Sequence, residues 1–99
     1  MMTEPTLYIL KKRDSMTAAQ QAAEKAYEAF LKEFPELTIR TQCVEIRELY
    51  ALEGKVAYLI RVKVTADEQV YASIRHWATE QDACDVPVDY FAVEDLRRA

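Results

Sequence analysis

A chain of 99 residues, 51% apolar and 30% charged, has the size and composition of one globular core and leaves no room for a second. Its net charge of -4 works against non-specific attachment to a phosphate backbone. The longest apolar run, Val56 to Ile60, falls far short of the roughly 20 residues that a membrane-spanning helix needs.

The segment Met1-Met2-Thr3-Glu4-Pro5 has no basic region followed by an apolar one, so no secretory signal is expected and the cytoplasm is the expected compartment. Cys43 and Cys84 lie far apart and outside any Cys-x-x-Cys pair, which predicts reduced thiols.

Thr6-Leu7-Tyr8-Ile9-Leu10, apolar on both parities and closed by Lys11-Lys12-Arg13, predicts a central strand. Asp14, Ser15 and Thr17 offer helix caps, Thr17 with Gln20 fitting a capping box. Ala19, Ala23, Ala26, Phe30 and Phe34 recur at helical spacing, so a helix over Thr17 to Phe34 buries one stripe, and Pro35 stops it.

Leu37 to Leu52 predicts a strand in which Ile39, Thr41 and Cys43 share one parity and Val44 and Ile46 the other, placing a β-bulge near Cys43. Lys55 to Val64 alternates strictly and predicts the next strand, reached through a hairpin turn at Glu53-Gly54. Thr65-Ala66-Asp67-Glu68 caps a second helix with an inward stripe of Val70, Ile74, Trp77 and Ala78. Val86 to Val93 predicts a final strand that tolerates Pro87 near its start, and Glu94 to Ala99 a last helical turn.

The order βαββαβ with right-handed crossovers predicts a ferredoxin-like α+β fold, one domain over residues 1–99, with two helices on one face of a four-stranded antiparallel sheet. The other face then displays some of Tyr8, Leu10, Ala57, Leu59, Arg61 and Lys63, an apolar centre with a charged rim. Tyr8, Leu10, Leu59, Arg61 and Lys63 are therefore the candidate interaction surface. The expected partner is another protein or a second copy of the chain. A second candidate is the acidic stretch of Glu80, Asp82, Asp85 and Asp89, which is either a solvated face or a dock for a basic partner.

No catalytic or cofactor-binding residue is assigned. His76, the single histidine, falls off the stripe of the second helix and is expected to be exposed; Asp82, Cys84 and Asp85 near it lack the spacing of a zinc site. Carboxylates beside Cys84 favour its protonated thiol, and Cys43 is expected as a small apolar core residue. No calcium loop is present, the Asp spacing and central Gly being absent.

Leu7-Tyr8-Ile9 resembles the first-strand motif of RNA-recognition domains, which share this element order. That resemblance implies a basic residue, a glycine and several aromatics on the third strand. Lys55-Val56-Ala57-Tyr58-Leu59 supplies one aromatic and no glycine, and the acidic balance also counts against nucleic acid. The order is similar as well to that of small dimeric α+β-barrel proteins, which implies an apolar pocket lined here by Tyr8, Tyr58, Trp77 and Tyr90. An interaction or regulatory domain is the leading expectation, ahead of that small enzyme and of the RNA-binding module.

Overall fold

The computed structural model describes residues 2–3, 5–52, 54–84 and 90–95, with side chains for 5–50 and 54–81. It is α+β, with an antiparallel sheet and two helices. The elements are β1 (Pro5–Arg13), α1 (Met16–Glu33), a 3-10 helix (Pro35–Arg40), β2 (Thr41–Leu52), β3 (Lys55–Val64), α2 (Glu68–Cys84) and β4 (Tyr90–Asp95). The strand order in the sheet is β2-β3-β1-β4, and every neighbouring pair is antiparallel. Met2–Thr3 adds a two-residue ladder with Ala66–Asp67 at the entrance to α2.

The pleat sorts the central strands into two faces, because side chains alternate with a period of two. Leu7 lies opposite Val62, Ile9 opposite Ile60 and Lys11 opposite Tyr58. All of these are buried, Lys11 included. Onto this face α1 lowers Ala19, Ala23 and Phe30, and α2 lowers Ile74 and Ala78. The small alanines let helix and sheet approach closely. Phe30, Phe34 and Trp77 close the centre as an aromatic triad with ring separations of 5.5, 6.0 and 5.8 Å. Each large side chain taken out of water here contributes about 1.5–3 kcal/mol.

Several local expectations are corrected. The N-cap of α1 is Ser15, whose hydroxyl accepts from the Ala18 N–H at 3.2 Å; Thr17 lies inside the helix and so is not its cap, and Gln20 donates to Glu24. The strand predicted from Leu37 begins only at Thr41. Pro35 at the first turn fixes a helical φ, Leu37 is buried, and the Thr38 and Thr41 hydroxyls donate to the Pro35 and Leu37 carbonyls at 2.9 and 2.7 Å. The β1 strand runs on through Arg13, beyond the predicted apolar run.

Other features agree with the sequence reading. The register of β2 on β3 shifts between Cys43 and Glu45, as a bulge requires. Gly54 has φ +80°, the left-handed conformation that suits glycine in a tight hairpin. Asp67 caps α2 by accepting from the Val70 N–H at 2.8 Å. Of the strand predicted over Val86 to Val93, the part from Tyr90 is described and is a strand, with residues 86–89 outside the described residues; it runs on to Asp95, which corrects the helical turn expected from Glu94. Glu53, Pro87 and the final residues 96–99 lie outside the described residues.

Candidate interaction surface

Opposite the helix-covered face, the register sets Thr6 beside Lys63, Tyr8 beside Arg61, Leu10 beside Leu59 and Lys12 beside Ala57. All five candidate residues, Tyr8, Leu10, Leu59, Arg61 and Lys63, thus share one face of β1 and β3. Thr6 and Ala57, short side chains between longer ones, are buried; Tyr8, Leu10, Leu59 and Arg61 are half-buried, and Lys63 is exposed. The centre is apolar and the margin is charged.

The edge strand β2 completes that margin. Glu45, opposite Arg61 in the ladder, accepts from Arg47 at 2.7 Å and lies 3.5 Å from the Arg61 Nε. That Nε is buried without a hydrogen-bond partner, so one carboxylate serves two guanidinium groups incompletely. Val44, Thr6, Arg61 and Lys63 line a hollow of about 230 Å³ beside it.

Among the described residues, the exposed large apolar side chains are not among the candidates. They are Ile39, Val44, Ile46 and Tyr50, at 92, 42, 57 and 64% exposure. The last three sit on β2, where neither helix packs substantially: α1 lies over β1 and β3, and α2 over β4. Cys43 is accordingly an exposed thiol, a correction to its expected place in the core. The signal available in the sequence was the presence of apolar residues on both parities of this strand.

The aromatic residues expected to line a shared pocket are divided by the sheet. Tyr58 and Trp77 lie on the helix-covered face and Tyr8 on the other, while the Tyr90 side chain is outside the described residues. Burial raises the Tyr58 phenol above its ordinary value, with the electrostatic influence of nearby Glu24, Glu48 and Cys43 adding to the effect. Burial, then Cys43, raises Tyr27 in the same way.

A groove of about 390 Å³ lies on the helix side, where Lys11, Arg13 and Lys25 surround an alanine floor of Ala22, Ala26 and Ala29. Of the acidic stretch, Glu80 is exposed and pairs with an exposed His76 at 3.2 Å, one helical turn away. The side chain of Asp82, and Asp85 and Asp89 altogether, lie outside the described residues. Among the described residues, no group of three His, Cys, Asp or Glu could hold a metal ion, and no helix is long and apolar enough to cross a membrane.

No protein-family model, no curated protein and no solved structure matches the chain.

Proposed function

We propose that this chain is a ferredoxin-like interaction or regulatory domain of the cytoplasm that acts through its open sheet face, with a second copy of itself as the first occupant. The strand order β2-β3-β1-β4 with two crossover helices supports the fold assignment. The observation that carries the functional reading is the open face itself: Tyr8, Leu10 and Leu59 at its centre, with Lys12, Arg61, Lys63 and the Glu45–Arg47 pair around them. An apolar centre with a polar rim is the anatomy of a protein interface. A two-fold axis would oppose the patch with itself and close the assembly.

The RNA-binding alternative loses its support on the third strand, since Tyr58 turns under α1 and leaves no stacking partner for Tyr8 there. The pocket alternative loses the convergence of aromatics that it required.

The test places a charge at the centre of the patch. Leu59→Asp is expected to halve the mass measured by sedimentation velocity while leaving the far-ultraviolet circular dichroism unchanged, because a half-buried face position does not carry the helix-side core. An unchanged mass would reject the reading.

A further inference from the structure

The strand β2 ends the sheet: β3 pairs with its inner side, and no described strand pairs with its outer side. Edge strands are ordinarily guarded by proline, by lysine or by shortness. This one has twelve residues, Thr-Gln-Cys-Val-Glu-Ile-Arg-Glu-Leu-Tyr-Ala-Leu, without a proline, glycine or lysine, and it bears Val44, Ile46 and Tyr50 exposed. The guarding features it carries are two register shifts, at Cys43/Glu45 and at Leu49/Leu52, and the charges of Glu45, Arg47 and Glu48.

We infer that β2 pairs antiparallel with β2 of a second copy about a two-fold axis at Ile46, joining the two four-stranded sheets into one. Charge complementarity selects both the occupant and the register. A two-fold perpendicular to the sheet keeps each face on its own side, so some residue must lie opposite itself. An axis at Glu45, Arg47 or Glu48 would set like charges against each other. An axis at Val44 or Leu49 makes no charge pair at all. The axis at Ile46 sets Glu45 against Arg47 of the copy, and Arg47 against Glu45, one on each side.

The faces agree with that register. Glu45 and Arg47 both lie on the open face, opposite Arg61 and Leu59, whereas Ile46 lies opposite buried Ile60 on the helix side. With Val44 as the extra residue of the bulge, Cys43 meets Glu48 on the helix side. The Arg47 and Glu45 side chains are 59 and 26% exposed, so they can exchange their contact within the chain for contacts between chains. This surface is separate from the open face: Ile46 points to the opposite side of the sheet, and stacking of open faces would leave the two Ile46 side chains apart.

The test uses the full chain with Leu59→Asp added throughout, so that association through the open face is removed and the failure of either proposal is seen separately. Cys43→Ser with Ile46→Cys puts one thiol on the axis, where directly opposed residues have Cα atoms about 4.5–5.5 Å apart, within disulfide reach. Mild oxidation is expected to link this chain to itself, while Cys43→Ser alone gives only the background from Cys84. Adding Glu45→Arg or Arg47→Glu singly is expected to lower the yield about tenfold, and mixing the two variants restores it, because each mixed pair is again opposite in charge. Circular dichroism verifies that these variants fold. Absence of the Ile46→Cys link, or a mixture that links no better than its components, overturns the inference.

Discussion

Phe30 is fully buried where α1, α2 and the sheet meet, with Phe34 and Trp77 against its ring. Phe30→Ala leaves a cavity between three elements that cannot all close on it, and a loss of about 3–5 kcal/mol is expected in urea unfolding. Tyr58 makes a different kind of contribution. Its phenol is raised above 10.0, chiefly by burial. The unfolded chain therefore releases that proton first as pH rises. The stability owed to the buried neutral phenol is fully present below the unfolded value and is lost as pH rises through the folded one. Urea midpoints measured from about pH 8 to pH 11 should fall more steeply for the wild type than for Tyr58→Phe. Parallel profiles would contradict the assignment.

At the scale of elements, the caps are the most separable determinants. Ser15→Ala removes the acceptor for the Ala18 N–H and is expected to cost about 1 kcal/mol, with Ser15→Asp retaining most of the stability. Asp67→Ala should act similarly on α2. The exposed Lys55–Asp14 pair at 2.7 Å holds the Asp14 carboxyl below its ordinary value but lies in water, so Asp14→Asn should change stability little.

Much of this level was legible in the sequence. Strict alternation set the bounds of β3, helical spacing found the buried stripes of α1 and α2, and the parity change near Cys43 found the bulge. The 3-10 helix was not legible, because Leu37, Thr38 and Ile39 have the composition of a strand. Their conformation is decided by Pro35 behind them, by Leu37 reaching the core, and by threonine hydroxyls capturing carbonyls that a strand would have used. The five residues proposed for the open face do share that face. Which strand lies at the edge depends on strand order, so the exposure of Val44, Ile46 and Tyr50 could not be read from alternation alone.

Among the described residues, the molecule presents a sheet with both helices on one side and a long edge strand, β2, whose outer side no described strand pairs. Burial on the helix side accounts for folding; the open face and the edge are the surfaces we propose for association. Two isologous contacts of this kind give a tetramer when both operate and their two-fold axes intersect at right angles, and a dimer when one does. The central claim is the self-association itself, and native mass spectrometry of the unmodified protein at low salt tests it most directly. The account predicts a dominant species at an even multiple of the 11.5 kDa chain. A spectrum containing the single chain alone would contradict it.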